Sequence, residues 1–564
     1  MPHNSKFGIA AWRVPDYNKQ LDISSKKQRI DFVILGIISI AVFFRSLNIN
    51  FVGDDLLHID YSWQSLKDVV FQYYRPLTNL SLFIDKQIWG YEPFGFHLTN
   101  LIVHSLNTSL VYLLAKKFSD LRIFAFVAGL FFLIHPIHSS SIFWISGRVD
   151  MLCTTFYLLA FLAFIEYTRF KTTHSLLLSI TSFLLALLSK EMALSLPLVF
   201  TAYVLVYTTG TGFQRWKVAS SKTWPFWVLA ILFLIFKMHT LGFVALTNNV
   251  HTNLNPIHLL KDLATFIGLL IVPGWHITIA NYLKAQPSVF TVLAAISIIA
   301  LIVTARWLKR QKKLWFFALF VLLTLLPVLR LAMRWYLYLP SVGFCLGLFY
   351  LLHSLHQKGK LWKKISLGTT GLIIVTYVFF INVEQNRWLE SGRLANRLSL
   401  EIARKIDSDK VDHCLILSVP GEYEETPVLM HGLESLVNFR LKSDFKDQKE
   451  VGVMAASLVS IRDSESGSYP ELSRLDSNQF SLSLNNSKSY FVFPEQAELI
   501  SELKPIGHGY RITQSSFDIS IDSVNQFGQA NVITIKITDT NLKLYQLNPN
   551  SLEPVNNVID SERK

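Results

Sequence analysis

Charged residues are scarce in this chain of 564 residues, of which they make up only 16%. An ordinary soluble protein carries about a quarter. Hydrophobic residues make up 51%, and the mean hydropathy is positive. This balance excludes an ordinary soluble protein of the same length and predicts a chain that lies largely within a membrane.

Cysteine is also rare, with three residues in the whole chain. Cys153 and Cys345 lie in apolar segments, and Cys414 lies in the polar tail. No two of them form a Cys-x-x-Cys pair, so the sequence excludes a disulfide framework and a cysteine metal site. The tail also lacks a nucleophile elbow, a P-loop and a metal-binding box, and the chain has no internal repeat.

Apolar blocks of about 15–20 residues recur across residues 31–382, and each is about long enough to cross a bilayer core. We predict eleven spans, over residues 31–47, 98–115, 121–134, 152–168, 174–189, 192–208, 224–239, 288–305, 314–328, 335–352 and 365–382. The apolar piece 259–275 is interrupted by charged residues, Pro273 and Gly274, and we interpret it as a tilted or re-entrant helix at the outer face. The first span is too long for a removed signal peptide and lacks a small-residue cleavage site.

Basic residues in alternate short loops predict the orientation. They are Lys26, Lys27, Arg29, Lys116, Lys117, Arg122, Arg169, Lys171, Arg215, Lys217, Lys222, Arg306, Lys309, Arg310, Lys312, Lys313, Lys358, Lys360, Lys363 and Lys364. The positive-inside rule places these loops and the N-terminus in the cytoplasm, and an odd number of spans places the tail outside. The loops account for the net charge of +13 without a nucleic-acid partner. We therefore expect a multi-pass protein of the cell (plasma or inner) membrane.

The composition changes after residue 382. We predict a cytoplasmic segment 1–30, a membrane domain 31–383 and an extracytoplasmic domain 384–564. In the last, "VEQNRWLESGRLANRLSLEIARKI" has the pattern of an amphipathic helix, "HCLILSVPG" that of a buried strand and "TPVLMHGLESLVNFRL" that of a helix. β-type runs follow, namely "SYFVFP", "SFDISIDSV" and "NVITIKITD". The predicted fold class is an all-α polytopic membrane domain followed by a small α/β or β-rich domain.

Two adjacent acids, Asp54 and Asp55, follow the first span in "NFVGDDLLHIDY". Gly53 before them allows the backbone to turn tightly. Apolar surroundings near an interface raise the basicity of a carboxylate, and such a carboxylate can take a proton from an incoming hydroxyl. The alternative is a pair of solvated acids, or acids that cap the next helix.

The predicted outer side also holds His58 and Arg75 and a polar helix face. His97, Asn100, His104 and Asn107 are spaced so that all four lie on one face of a helix. Polar residues within a span face the bundle interior or a wet cavity. The sequence leaves two interpretations open, a substrate cavity and hydrogen bonding between helices.

His135 and His138 lie three residues apart in "HPIH", near the predicted outer boundary. Two histidines make a divalent metal site only if further ligands join them, and Asp54 or Asp55 could supply these. A helix terminus with interfacial histidines is the alternative. We predict no cofactor, with a divalent metal as the one open alternative.

Opposite charges lie close in sequence at membrane depth in "SGRVD" and "SKEM", and two further cations lie four residues apart in "LRLAMRWYLYLPS". These residues are Arg148 with Asp150, Lys190 with Glu191, and Arg330 with Arg334. Sequence neighbours of opposite charge neutralise each other at little cost. Alternatively, the cations bind the phosphate of a lipid head group at the outer interface.

These pieces together resemble the GT-C superfamily of integral-membrane glycosyltransferases. The resemblance rests on "YRPLTNLSLFIDKQIWGYEPFGFHLTNLIVHSLNTSLVYLL", with "GDD", "HPIH", "GRVDML", "SKE", "YLYLPSVGF" and "NRW" in the same order, covering most of residues 30–390. The chain is most similar to the branch of transmembrane, TPR-bearing O-mannosyltransferases and their bacterial relatives. It differs in having Arg334-Trp335 where relatives have Glu-Arg, and in having no tetratricopeptide pattern in the tail.

The resemblance implies a polyprenyl-phosphate-linked sugar as donor, an inverting transfer and an active site at the first outer loop. One acid of the Asp54–Asp55 pair would then act as base, and Arg148, Lys190 and Arg330 or Arg334 would bind the donor phosphate. The acceptor stays open between protein, lipid and polysaccharide. The alternatives are a transporter or flippase for lipid-linked glycans and an outward-facing glycan ligase or polymerase. A transporter would carry charged groups through the bilayer depth or on both faces, whereas here they concentrate on one predicted side.

Overall fold

A computed structural model describes most of the chain. The described residues are 17–67, 74–119, 121–241, 256–272, 311–329, 333–445, 450–461, 470–484, 490–492, 511–513, 517–524, 530–538, 543–548 and 551–555. The predicted span 288–305, Arg330 and the end of the apolar piece 259–275 lie outside them.

Helices dominate the first three quarters of the chain. They are Tyr17–Phe43 (α1), Asp55–Lys67 (α2), Pro76–Trp89 (α3), Pro93–Phe118 (α4), Arg122–Leu133 (α5), Ser139–Phe143 (α6), Arg148–Phe170 (α7), Thr173–Ser189 (α8), Leu196–Tyr207 (α9), Gly212–Leu241 (α10), Pro256–Ile271 (α11), Lys312–Leu325 (α12), Pro340–His356 (α13), Lys360–Asp409 (α14) and Leu433–Asp444 (α15). Short 3-10 turns at Phe44–Asn48, Pro136–His138, Ile145–Gly147, Glu191–Ser195, Leu326–Val328 and Arg334–Leu337 interrupt them.

Every predicted span within the described residues coincides with a helix, but the predicted count of eleven is not confirmed. Among the described helices, five are long and apolar enough to cross a membrane, namely Lys26–Asn48, Pro93–Phe118, Ile145–Phe170, Gly212–His239 and Lys360–Asp409. A bent pair, Arg122–Leu133 with Pro136–Phe143, makes a sixth if it forms one span. Other apolar helices, such as α12 with 14 residues, are shorter than the roughly 20 residues that a crossing needs. The chain is a multi-pass membrane protein.

The chain divides into two compact units. One, which we call the membrane unit, contains Met1–Leu47 and Ser62–Glu384; the other, the C-terminal unit, contains Asn48–Tyr61 and Gln385–Lys564. The second boundary, between Glu384 and Gln385, lies one residue after the predicted one between residues 383 and 384, and the predicted division into three segments stays a prediction. The segment Asn48–Tyr61 differs, because the predicted boundaries assigned it to the membrane domain.

Aromatic side chains fill the core of the membrane unit. The rings of Phe164 and Phe200 stack with centroids 3.9 Å apart, and the ring of Phe226 meets both edge-on. These three residues come from α7, α9 and α10. Edge-to-face and offset contacts between aromatic rings add to the free energy that burial contributes, so they hold these helices together.

The strands of the described residues lie in the C-terminal unit. They are His413–Tyr423 (β1), Thr426–Pro427 (β2), Gly452–Ile461 (β3), Glu471–Asp476 (β4), Gln479–Ser483 (β5), Tyr490–Val492 (β6), Arg511–Thr513 (β7), Phe517–Val524 (β8), Ala530–Ile537 (β9), Lys543–Asn548 (β10) and Ser551–Pro554 (β11). One sheet has the order β11-β10-β1-β3-β6, with β2 paired to β1, and the other has the order β4-β5-β9-β8-β7.

The two sheets of the C-terminal unit share one hydrophobic core. Strand β1 is the centre of the first sheet, parallel to both β3 and β10, and the second sheet is antiparallel. Leu415 and Leu417 from the first sheet and Ile533 and Ile535 from the second belong to the same buried cluster. The predicted strands at 413–421, 516–524 and 531–539 are thus confirmed, and so is the predicted helix after β1, which begins at Leu433.

Candidate functional site

The acid pair lies in a tight turn of the C-terminal unit. Gly53 has a positive φ of 53°, a conformation that glycine adopts at little cost, which confirms the predicted turn. Asp55 is only 1% exposed and starts helix α2. Its Oδ2 accepts a hydrogen bond of 3.0 Å from the backbone N–H of Val52. Asp55 therefore stabilises the turn from inside.

Asp54 is in a different environment from its neighbour. Its side chain is 20% exposed, so solvent reaches it. Its Oδ2 lies 3.1 Å from Nε2 of His58, one helical turn further along the chain. The backbone carbonyl of Asp54 also accepts a hydrogen bond from the His58 N–H. Of the two acids, Asp54 is the one that can meet an incoming hydroxyl.

The loop between β1 and α15 holds this turn in place. The Gly53 N–H donates a hydrogen bond of 2.9 Å to the Val428 carbonyl. Gly432 lies so close that an added Cβ would overlap the Gly53 carbonyl oxygen. On α14, a Cβ at Gly392 would stand 2.8 Å from the Asn50 nitrogen. Three glycines thus allow close backbone contact, which no motif in the sequence indicates.

A second group of charges lies in the membrane unit, and we call it the cation cluster. It consists of Arg75, Asp150, Lys190, Glu191, Lys237 and the ring of Tyr336. The guanidinium of Arg75 donates two hydrogen bonds to Glu191, of 2.6 Å and 3.3 Å. Nζ of Lys237 lies 3.4 Å from the same carboxylate. Glu191 is one third exposed, so this part of the cluster reaches the surface.

The buried part of the cluster is the Lys190–Asp150 pair. Nζ of Lys190 donates a hydrogen bond of 2.6 Å to Asp150, and both side chains are almost fully buried. The ammonium also stands 4.6 Å from the centre of the Tyr336 ring. Lys190 extends from the end of α8 and Asp150 from the first turn of α7. The predicted neutralisation of each residue by its sequence neighbour is therefore wrong, because Lys190 pairs with Asp150, and Glu191 pairs with Arg75 and Lys237.

The cation cluster has three positive and two negative side chains, and so one positive charge in excess. Lys237 of α10, the residue missed by sequence reasoning, provides that excess. Sequence reasoning missed Lys237 because it lies within an apolar stretch of α10 and because its partner Glu191 is distant in sequence. This one excess positive charge equals in magnitude the single negative charge of a phosphodiester.

Arg148 has the surroundings of a structural residue instead. It is fully buried, with Nη1 2.5 Å from the Asp85 carboxylate. It also donates to Asn100 Oδ1 at 2.8 Å and to the Phe96 carbonyl at 2.9 Å. These partners join α3, α4 and α7. Because protein groups surround its guanidinium, we leave Arg148 out of the donor site proposed below.

The polar face of α4 forms hydrogen bonds between helices. Asn100 donates to the carbonyls of Ile142 and Trp144. His104 bonds to the Tyr338 hydroxyl at 2.7 Å and to the Leu133 carbonyl at 3.0 Å. Asn107 donates to the Met151 carbonyl and to the Tyr338 hydroxyl. His97 is buried on the same face. Of the two interpretations left open by the sequence, the structure supports hydrogen bonding between helices.

The remaining predicted residues also have protein partners. His135 bonds to the Leu270 carbonyl at 3.1 Å and His138 to the Ser341 hydroxyl at 2.8 Å. Nη1 of Arg334 lies 3.3 Å from the Glu384 carboxylate. Within the described part of the chain, no group of three or more His, Cys, Asp or Glu side chains is arranged to hold a metal ion. Burial raises the pKa of the Cys414 thiol to about 12, so this thiol is not a nucleophile at neutral pH.

Part of this chain is similar in sequence to known protein O-mannosyl-transferases. The chain is 35% identical over 122 residues to protein O-mannosyl-transferase Tmtc1 of Drosophila melanogaster, which covers 22% of this chain and 14% of that protein. It is 29% identical over 204 residues to protein O-mannosyl-transferase TMTC4 of Mus musculus, covering 29% of this chain and 28% of that protein. The matched segments thus span less than a third of these relatives. They confirm the resemblance that the motifs predicted.

No protein-family model matches the chain. Among solved structures, the apo form of ArnT from Cupriavidus metallidurans aligns with a TM-score of 0.42 and 13% identity, covering 76% of this chain and 92% of that one. An oligosaccharyltransferase of Archaeoglobus fulgidus, tethered to an acceptor peptide, aligns with a TM-score of 0.43 and 12% identity, covering 87% of this chain and 79% of that one.

Proposed function

We propose that this chain is a membrane glycosyltransferase that moves a sugar from a polyprenyl-phosphate-linked donor to an acceptor hydroxyl. The observation that carries the proposal is the cation cluster, which has an excess positive charge in a chain similar to protein O-mannosyl-transferases. By analogy with these relatives, the sugar is a hexose of the mannose type and the acceptor is a protein hydroxyl. Lipid and polysaccharide acceptors are outcomes for the test to distinguish.

The cation cluster would bind the donor phosphate. In the donor, this phosphate is a diester with one negative charge. As the bond to the sugar breaks, it becomes a monoester, which carries about 1.5 to 2 negative charges at neutral pH. The negative charge of the leaving group grows as the reaction proceeds. Fixed cations beside it therefore stabilise the transition state more than they stabilise the bound donor, and this lowers the barrier. Lys190, Arg75 and Lys237 are the groups proposed for this role.

Asp54 would act on the acceptor. A hydroxyl is a poor nucleophile, and a carboxylate within hydrogen-bond reach removes its proton as the new bond forms. Its partial exposure and its contact with His58 fit this role better than the buried position of Asp55. Attack from the side opposite the departing phosphate inverts the configuration at the sugar carbon, so we propose an inverting transfer.

We further propose that the reaction takes place on the outer side of the cell membrane. The support is the distribution of basic residues in the loops, which predicts a cytoplasmic N-terminus and an extracytoplasmic C-terminal unit.

The test compares lipid extracts of cells that have and lack the protein. If the protein consumes a polyprenyl-phosphate sugar, the cells that lack it accumulate this lipid, and the parent chain restores the normal level. The Asp54→Asn chain should not restore it. An unchanged lipid pool together with loss of a surface glycan would instead support a transporter or a ligase and would contradict the proposal.

A further inference from the structure

The side chain of His58 contacts the proposed catalytic acid, Asp54. Its Nε2 lies 3.1 Å from Oδ2 of Asp54, and its backbone N–H donates to the Asp54 carbonyl at 3.0 Å. The second bond belongs to the first turn of α2, so the helix itself brings the imidazole over the carboxylate. Both side chains reach solvent, at 30% and 20% exposure. The pair therefore lies where a substrate can meet it.

We propose that His58 is a positioning residue, whose ring N–H holds the Asp54 carboxylate in the orientation and charge state needed to accept the proton of the acceptor. This inference rests on the proposed function, because it assigns a role to a contact of the proposed base. A donor hydrogen bond to a carboxylate favours its ionised form. It also removes rotamer freedom, so that the other face of the carboxylate is presented in one direction.

The rest of the turn supports this assignment. The neighbouring Asp55 already stabilises the turn, since its Oδ2 accepts the Val52 N–H from a buried position. The backbone of Gly53 is fixed separately by its bond to the Val428 carbonyl. The main chain at Asp54 is therefore held without the His58 imidazole, and what the imidazole adds is control of the Asp54 side chain. A purely structural contact would be redundant at this place.

The alternative is an ordinary surface pair, which contributes little to stability and nothing to catalysis. The C-terminal unit contains a matched example in the Lys405–Asp409 pair. That pair also joins residues four apart on a helix, at 3.1 Å, with side chains 31% and 23% exposed. A variant that removes it, Lys405→Gln, is therefore a fair control for the loss of one exposed contact of this kind.

Two substitutions separate the donor hydrogen bond from the ring. His58→Phe keeps a flat ring and removes the donor, whereas His58→Gln keeps an N–H donor of similar reach. We expect His58→Phe to lower kcat about tenfold, which is less than the roughly 10²–10⁴-fold effect of removing an acid–base group itself, because Asp54 remains in place. The KM for the donor should be unchanged. His58→Gln should stay within about threefold of the parent chain, because the carboxylate keeps its partner.

The measurement uses the full chain in membranes, undecaprenyl-phosphate mannose labelled in the sugar as the donor probe, and cell membranes as the source of acceptor. Donor titration gives apparent kcat and KM for the parent chain, the two His58 variants, Lys405→Gln, Asp54→Asn and Asp54→Asn/His58→Phe. We expect the double variant to be no slower than Asp54→Asn, because His58 acts through Asp54. Lys405→Gln should match the parent.

The outcomes separate the two proposals. Loss of transfer in Asp54→Asn with normal kcat in His58→Phe would overturn the positioning role and leave the proposed function intact. Equal loss in His58→Phe and His58→Gln would also overturn it, since that result points to the imidazole as a proton carrier. No transfer by the parent chain from this donor, together with an unchanged lipid pool in cells that lack the protein, would overturn the proposed function itself.

Discussion

Asp54 and Asp55 are adjacent in sequence but differ in what their carboxylates can do. Asp55 is buried and bonds to the Val52 N–H, whereas Asp54 reaches solvent and contacts His58. Adjacent residues before a helix point to different sides, so the sequence predicts that one acid faces outward. It does not indicate which one, because that depends on where residues distant in sequence bury the turn.

The acid pair gives the first prediction. Asp54→Asn should lower transfer by about 10²–10⁴-fold, because the amide cannot accept a proton. Asp55→Asn should keep most of the activity, since its amide oxygen can still accept the Val52 N–H. Asp55→Ala should instead lower the free energy of unfolding by about 1–3 kcal/mol, because it leaves that N–H unpaired. Activity at equal membrane levels and thermal unfolding in detergent measure the two effects, and parent-like activity of Asp54→Asn contradicts the catalytic role.

The Lys190–Asp150 pair gives the second prediction. Lys190→Met alone leaves a buried carboxylate without its cation, which destabilises a protein by about 3–5 kcal/mol. The double variant Lys190→Met/Asp150→Asn removes both charges and should insert and fold. We expect it to transfer about 10²-fold more slowly than the parent, because a cation at the leaving phosphate is missing.

The control for this experiment is another pair in the membrane unit, Asp31 with Arg122. The Arg122 guanidinium donates to both Asp31 oxygens, at 2.6 Å and 2.8 Å, and neither residue belongs to the cation cluster. Asp31→Asn/Arg122→Gln should therefore leave transfer unchanged once protein levels are matched. If the Lys190→Met/Asp150→Asn chain is as active as this control, the Lys190 cation does not serve the donor phosphate.

Sequence reasoning found most members of the cation cluster but paired them wrongly. Residues such as Lys190 and Glu191 were identified because charges are costly at membrane depth. Their partners come from α7, from the residue directly before α3 and from α10, and no local pattern predicts which helices pack together. For the same reason the sequence could not separate Arg148, which bonds to Asp85, Asn100 and the Phe96 carbonyl, from the cations of the cation cluster.

The loop between β1 and α15, which contacts the Asp54 turn, contains residues with unusual backbone conformations. Glu424, Glu425 and His431 all have positive φ values, of 45°, 70° and 59°. Such conformations are costly for residues with a Cβ and persist only where the surrounding structure imposes them. In the same loop, Gly432 contacts the Gly53 carbonyl. The loop therefore fixes the path of the main chain that carries Asp54.

This contact gives a prediction about the loop. Gly432→Ala should displace the Gly53 turn, because the added methyl group would occupy the position of the Gly53 carbonyl oxygen. We expect transfer to fall at least about tenfold, since a displacement of the base by one ångström is costly in an active site. The control is Gly371→Ala on α14, where a Cβ meets nothing within 4 Å. Equal activity of the two alanine variants would show that the loop does not position Asp54.

Long periodic or apolar stretches were predictable as helices and strands, since the pattern of one segment determines its own preference. The helix after residue 382 shows the limit of this approach. It was predicted as a separate amphipathic helix, but it continues the preceding apolar helix as one element, α14, of 50 residues. The composition changes within α14, but the backbone stays helical throughout. The change of composition therefore indicated a boundary between two helices that the secondary structure does not have.

The orientation in the membrane is predicted from loop charges and applies to the whole chain. Reporter fusions placed after Lys117, Lys171, Lys222, Lys313 and Lys364 should read as cytoplasmic, and a fusion within the C-terminal unit should read as external. The physical reason is that clusters of Lys and Arg beside a span resist translocation. Protease accessibility in intact cells is an independent measurement. A cytoplasmic C-terminal unit would contradict the proposed location of the reaction.

The C-terminal unit is discontinuous in sequence, since Asn48–Tyr61 belongs to it while Ser62–Glu384 intervenes. This has a consequence for biosynthesis. The segment with Asp54 leaves the ribosome early, but Val428 and Gly432, which fix its turn, are made only after every helix of the membrane unit. Closing so long a loop slows folding, so the turn can reach its final form only once the nascent chain is nearly complete. A chain that stalls before residue 428 would contain all residues of the cation cluster but not Val428 and Gly432, which fix the turn at Asp54.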